Sequence, residues 1–169
     1  MKPKVFVRFA NADDSEDISR ILTEAFSVYR RFYTDEAFSC VTPKPDEVKE
    51  RFEEGPIWIA KVDCESVGTV SVTTEPEGLY VRSMAVLPRA QGRGVGHKLL
   101  EAVDEYAVGS GQERIFLYTT YFVPGAKEMY EKHGYDRVRD TTADEWYGTP
   151  GLEMDKRIVR DKQNVIGNQ

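Results

Sequence analysis

Cysteine and histidine are scarce, two of each in 169 residues. Cys40 and Cys64 lie far apart and in no CxxC or metal-ligand spacing, which argues against a metal site or redox pair and suits a reducing cytoplasm. Long apolar runs are also missing. Lys4 and Arg8 interrupt the first ten residues before signal-peptide length is reached, and no later run approaches the ~18 residues that span a bilayer. An excess of positive charge is lacking as well: 23 Lys and Arg stand against 29 Asp and Glu, a net charge of −6, which disfavours a chain-wide phosphate-binding surface for nucleic acid. There is no internal repeat or low-complexity tract. What is present is 40% apolar and 11% aromatic residues, enough for one domain to bury roughly two-thirds of its unfolded surface. A single domain over residues 1–158 is expected, followed by a polar tail, 159–169.

Val5, Val7 and Phe9 alternate in a short strand pattern, and Asn11 to Asp14 supply turn and cap residues before Ile18, Ile21, Leu22, Ala25 and Phe26 form one helical face. No period holds through the aromatic, mixed-charge residues 27–44, which read as an irregular surface or a site wall. Pro45 followed by Asp46 to Phe52 predicts a short helix. Residues 57–62, 67–73 and 79–86 are β-branched or apolar runs separated by turns, predicting three consecutive antiparallel strands. Val95, Leu99, Leu100, Val103 and Ala107 mark a second amphipathic helix, ending near Gly109. A strand (114–119), a short helix (124–133) and two further strands (135–139, 151–158) complete the order β α α β β β α β α β β. The fold class is α/β (α+β): a mixed, mostly antiparallel sheet flanked by helices, with one parallel pair demanded by the strand–helix–strand crossover after Val86.

Residues 91–96 read Gln-Gly-Arg-Gly-Val-Gly between a strand and a helix, where bare backbone N–H groups and the positive helix end can surround a pyrophosphate. The stretch 78–100 holds no acid while carrying Arg82, Arg89, Arg93 and Lys98. The Rossmann fingerprint needs glycine where His97 stands, and a Walker loop needs a hydroxyl after its lysine where Leu99 stands, so NAD and ATP are both disfavoured. A ligand-free glycine turn and a module for another nucleotide remain open on spacing alone.

The block Leu79 to Leu100, with Gln91, Gly94 and Gly96 on a Q/R-x-x-G-x-G/A signature after a strand and a proline, closely resembles the core motif of the GCN5-related N-acetyltransferases. The resemblance extends more weakly from Val5 to Ile158, through Trp58-Ile-Ala-Lys, Met129-Tyr-Glu-Lys-His-Gly-Tyr and Leu152-Glu-Met-Asp-Lys. It implies a bulged motif strand that splays from its neighbour, so that the pantetheine arm of acetyl-CoA lies in the gap like an added strand, held by backbone groups of Met84, Ala85 and Val86. By the same resemblance the amides of Gly92, Arg93, Gly94, Val95, Gly96 and His97 hold the pyrophosphate, with Arg89 or Arg93 adding charge at the ribose phosphate. On the pattern N-x-x-A-x-x-x-Y-x-x-x-G-F/Y, the residues Ala126, Tyr130, Gly134 and Tyr135 fall in register, while Val123 takes the asparagine position and removes a side-chain amide that often contacts the cofactor arm.

Acetyl transfer to an amine needs a neutral nucleophile, and deprotonating an alkylammonium of pKa ~10.4 at pH 7 costs about 4.6 kcal/mol. Candidate bases are Glu75 and Glu77 at the mouth of the motif strand, Asp35 and Glu36 in the aromatic segment, Asp144 and Glu145 before Trp146 and Tyr147, or a water relay. Some branches that acetylate protein N-termini carry an acid where this chain has Tyr118. Tyr130 would meet the departing thiolate, chiefly as a hydrogen-bond donor, because full proton transfer from a phenol to a thiolate is uphill by about 2 kcal/mol in unperturbed groups. Backbone N–H near Val86 would polarise the thioester carbonyl. The expected activity is N-acetyl transfer from acetyl-CoA to a primary amine of a small molecule or a protein, in the cytoplasm, with a homodimer open to it; the alternative is a non-catalytic acyl-CoA-binding regulatory domain. The identity of the amine stays open: aromatics among acids in 29–38 and 140–147 suit a cation, while Arg30 and Arg31 permit an anionic tail.

Overall fold

Alternating β-branched and apolar residues become seven strands of one sheet in a computed structural model, which describes residues 4–159. The strands are β1 (Val5–Phe9), β2 (Ile57–Val62), β3 (Glu65–Glu75), β4 (Gly78–Val86), β5 (Arg114–Thr119), β6 (Asp136–Thr141) and β7 (Gly151–Arg157). Their spatial order is β1-β2-β3-β4-β5-β7-β6. Every neighbouring pair is antiparallel except β4 and β5, as the helical crossover between them requires. All but the first residue of the expected tail 159–169 lies outside the described residues.

Five helices flank the sheet: α1 (Ser15–Ser27), α2 (Asp35–Val41), α3 (Pro45–Arg51), α4 (Val95–Gly109) and α5 (Ala126–Lys132). The apolar stripes of α1 and α4 behave as their periodicity predicts, with Ile18, Ile21 and Leu22 on one and Leu99, Leu100 and Val103 on the other all buried. Among the described residues no helix is long and apolar enough to cross a membrane.

One element departs from the sequence reading. Residues 27–44, expected to be irregular, contain α2, whose first turn is capped by Thr34 Oγ1 accepting from the Ala37 N–H at 3.1 Å. Ala37 is its one buried hydrophobic residue, so the helix presents no apolar stripe to reveal it. Capping and contact with the rest of the fold hold it in place of periodicity.

The β3–β4 ladder carries the irregularity that shapes the site. Thr69 pairs with Ala85 and Ser71 with Arg82, so Ser83 and Met84 together face Val70 in a β-bulge. Ser83 takes a left-handed conformation there (φ 52°). On the other edge of β4, pairing with β5 runs from Leu79–Ile115 to Val81–Leu117 and stops. Beyond that point the two parallel strands part, and the edge of Arg82 to Val86 that faces β5 has no strand partner.

Candidate functional site

Two cavities occupy the opening between β4 and β5. The first, about 440 Å³, is walled by Tyr33, Arg51, Tyr80, Arg82, Tyr118 and Trp146 among others. The second, about 320 Å³, runs past Met84, Ala85 and Val86 to Gln91, Gly92, Gly94, Val95, Gly96 and His97. Phe26, Met84, Val123, Ala126 and Tyr130 line both, so the cavities meet at the bulge opposite Tyr130.

The residues expected to bind the cofactor divide by role. Gly92 (φ 78°) and Gly94 (φ 83°) are left-handed, and a Cβ on either would meet open space, so both glycines serve backbone conformation. They shape the turn that leads into α4, whose first residues Val95, Gly96 and His97 line the second cavity. Gly96 serves packing instead: a Cβ there would stand 2.6 Å from Met129 Sδ of α5. Gln91 turns its side chain back, Nε2 donating to the Val86 carbonyl at 3.2 Å, and so ties the loop to the end of β4. Arg93 is exposed. Arg89 pairs with Glu65 and lies 3.5 Å from Glu24 in half-exposed surface contacts. The acid-free run 78–100 hid this pairing, because its partners come from α1 and β3.

These groups fit the pyrophosphate and arm of a coenzyme A thioester on two observations. Open space lies in front of Gly92 and Gly94, at a helix end that favours an anion, and the β4 edge past Val81 offers unpaired backbone groups. Val123 places an apolar side chain in the wall common to both cavities, where the expected asparagine would have offered an amide.

Tyr130 projects from α5 into that common wall and is 7% exposed. Burial pushes its phenol well above the ordinary tyrosine value, which favours the protonated form that can donate a hydrogen bond. Its ring meets Tyr135 edge-on, with centroids 5.8 Å apart. The opposite wall is aromatic: buried Tyr33 sits edge-on to Phe122 at 4.8 Å and to Trp146 at 6.3 Å. Burial raises the Tyr33 and Tyr80 phenols to about 12. Part of the aromatic segment 27–44 is thus a site wall, as one of its two sequence readings held.

The candidate bases are scattered. Glu75 and Glu77 sit at the β3–β4 turn, the end of β4 away from the bulge, and neither lines a cavity. Glu75 accepts from Thr73 Oγ1 at 2.9 Å. From Gly78 to Met84 is about 20 Å of extended strand, too far for a carboxylate to reach an amine beside the bulge. Asp35 is exposed and pairs with Arg30, while Glu36 and Asp144 are exposed and outside both cavities. Glu145 does line the first cavity, but it accepts from the Thr142 N–H at 2.6 Å and pairs with Arg139 at 2.8 Å. Those contacts hold its carboxyl below the usual range, which weakens it as a base.

Sequence reasoning missed Arg51 and Ser83. Arg51, the last residue of α3, donates from Nη1 to Ser83 Oγ at 2.8 Å and from Nη2 to the Cys40 carbonyl at 3.0 Å. An arginine closing a short helix has no periodicity or motif that marks it, and only the packing of α3 against α1, which itself lies on β4, brings it to the cleft.

Comparison with known proteins agrees with this geometry. The chain is 28% identical over 138 residues to the uncharacterized N-acetyltransferase YhfO of Bacillus subtilis, covering 77% of this chain and 89% of the relative. It is 24% identical over 138 residues to the uncharacterized N-acetyltransferase YjgM of Escherichia coli, covering 78% and 82%. In fold it resembles the PaiA N-acetyltransferase of Thermoplasma acidophilum, solved in complex with coenzyme A, at a TM-score of 0.74 and 18% identity over 91% of this chain and 99% of that one. It likewise resembles YncA of Salmonella typhimurium, solved with its cofactor acetyl-CoA, at a TM-score of 0.74 and 16% identity over 94% and 96%. The model of the Acetyltransferase (GNAT) family matches residues 17–135, spanning α1, the bulged strand, the glycine loop and Tyr130, and the chain belongs to that family.

Proposed function

We propose that the protein is an N-acetyltransferase that moves the acetyl group of acetyl-CoA onto a neutral primary amine by direct attack. The observation that carries this reading is the meeting of the two cavities at the bulge opposite Tyr130. One cavity suits a coenzyme arm on backbone groups, the other an acceptor, and the two share one small stretch of wall.

Acetyl-CoA supplies an activated acyl group. The amides from Gly92 to His97 hold its pyrophosphate, and the backbone of Met84, Ala85 and Val86 aligns the arm along the open edge of β4. The N–H near Val86 polarises the thioester carbonyl as the amine nitrogen bonds to the acyl carbon and the carbon–sulfur bond breaks. Tyr130 donates a hydrogen bond to the departing sulfur. Its raised pKa makes complete proton transfer still less favourable than between unperturbed groups, so stabilisation of the thiolate is its role. The amine's proton leaves through water toward the cavity mouth, where Glu145 is the one carboxylate among the described lining residues. Free thiols at Cys40 and Cys64 suit a reducing cytoplasm.

Calorimetry with acetyl-CoA, alongside thermal shift with acetyl-CoA, ATP and NAD, tests the binding half of the reading. Stabilisation by acetyl-CoA alone supports it; stabilisation by ATP or NAD alone points to a different nucleotide module. Free-thiol release over an amine panel at saturating acetyl-CoA tests the transfer. Binding with no thiol release for any amine identifies an acyl-CoA-binding domain instead.

A further inference from the structure

The acceptor cavity carries positive charge that its own acids do not balance. Arg51 and Arg82 both line it. Among the described residues Arg51 has no carboxylate within ion-pair distance; its bonds go to the Ser83 hydroxyl and the Cys40 carbonyl. Arg82 pairs with Glu54, yet its Nε is buried without a hydrogen-bond partner. Arg51 bonds the hydroxyl of Ser83, the neighbour of Arg82, and burial together with the nearby Arg51 lowers the Arg82 pKa. Glu145, the carboxylate of this wall, is already paired with Arg139. Glu54 is the one carboxylate ion-paired with either guanidinium among the described residues, so Arg51 is left without an ion-pair partner in a protein whose net charge is −6.

A desolvated cation and an unpartnered N–H are each unfavourable unless something completes them. We propose that the completing group is the carboxylate of the acceptor: the amine acetylated here belongs to an amino acid. This rests on the acetyltransfer reading above and names its substrate class. The guanidinium fork matches a planar carboxylate, and one negative charge equals the charge left over, whereas a phosphate dianion exceeds it. Arg51 also fixes where the amine lies. It bonds Ser83, the neighbour of Met84 on the bulge, so a carboxylate on Arg51 sets an amine on the adjoining carbon beside the point where the two cavities meet. Tyr80, Tyr118 and Trp146 then face the side chain, which favours aromatic or branched amino acids over small polar ones. A simple cationic amine is disfavoured, because the wall it would need to be acidic is cationic.

The test compares L-amino acids such as phenylalanine, tyrosine and leucine with their amides and with the corresponding decarboxylated amines, by thiol release at saturating acetyl-CoA. Members with a free carboxylate are expected to show at least about ten-fold higher kcat/KM, the range of a hydrogen bond to a charged group. Arg51→Gln is expected to raise the acceptor KM by a similar factor for those members alone, with the heat of acetyl-CoA binding unchanged and partial recovery in Arg51→Lys. Should Arg51→Gln fail to fold, the preference of the unmodified protein carries the test. A second readout needs no turnover: with CoA present, N-acetyl-L-phenylalanine is expected to raise Tm more than N-acetylphenethylamine. Equal or better performance of decarboxylated amines, or no carboxylate preference in either readout while acetyl-CoA binds, overturns the amino-acid assignment and leaves the acetyltransfer reading standing. Absence of acetyl-CoA binding overturns both.

Discussion

Gly96 of α4 and Met129 of α5 touch so closely that a Cβ on the glycine would lie 2.6 Å from the Met129 sulfur. The contact sets the spacing between the helix that presents the pyrophosphate amides and the helix that presents Tyr130. Because the obstructing atom is the far part of a flexible side chain, Gly96→Ala is expected to destabilise by about 1–3 kcal/mol without unfolding the protein. The same substitution in a Met129→Ala background is expected to cost markedly less, since the two residues share one space. Denaturant melts of the four proteins check this; additive losses would show that the contact is not what requires glycine.

Tyr130→Phe removes the phenol from the wall common to both cavities and keeps the ring. It is expected to lower kcat about ten-fold or more, in line with the loss of a donor to a developing charge, while the Kd for acetyl-CoA, held elsewhere by backbone groups, hardly changes. Equal kcat in the two proteins would reject the donor role. Since burial raises this phenol, the basic limb of the pH–rate profile is expected to lack a break from Tyr130 near pH 10.

Glu75→Gln and Glu77→Gln are expected to leave kcat unchanged, because both residues sit at the far turn of β4 and line neither cavity. A large fall in kcat for either, with Tm preserved, would return that residue to the reaction.

Asp14 joins β1 to α1. Its carboxylate accepts from Arg8 Nη1 and Nη2, each at 2.8 Å, and from the Asn11 N–H at 2.9 Å. The Arg8 hydrogen bonds, foremost, hold its carboxyl below the usual aspartate range. A depressed carboxylate pKa contributes stability that is fully present above the unfolded value of about 3.9 and is lost as pH falls from there through the lower folded-state value. Asp14→Asn is therefore expected to lower stability by about 1.5–3 kcal/mol at pH 7, and to differ less from the parent as pH falls below about 4. Urea titrations at pH 7 and pH 3 measure both values.

Thr34 closes the acceptor side. Its hydroxyl donates to the Tyr147 carbonyl at 2.6 Å while capping α2, which holds the Trp146 segment against the cavity. Thr34→Val is expected to raise the acceptor KM several-fold with the acetyl-CoA KM unchanged; parallel changes in both constants would point to a general loss of structure instead.

Patterns repeated along the chain were legible without any structure: the alternation of β2, β3 and β4, the apolar stripes of α1 and α4, and the parallel pair forced by the crossover. The glycine loop was legible because left-handed turns admit few residues besides glycine, and Gly92 and Gly94 are left-handed. Tyr130 was marked by its spacing from Ala126, Gly134 and Tyr135. Helix α2 was not, since capping and contact with the fold hold a helix with one buried hydrophobic residue.

Pairings between distant residues belong to the tertiary structure alone. The run 78–100 holds no acid of its own, yet Glu24 and Glu65 reach Arg89 from α1 and β3. Glu75 and Glu77 were adjacent to the right strand at the wrong end, because sequence proximity does not tell which end of a strand opens. Arg51 reaches the bulge only through the packing of α3 against α1, and the charge it leaves unmatched depends on where Glu54, Glu145 and Arg139 come to rest. Local geometry and burial are imposed by short-range sterics and by the period of apolar side chains, so they are written in the chain. The electrostatic balance of the acceptor cavity is a sum over groups far apart in sequence, and folding alone brings its members together.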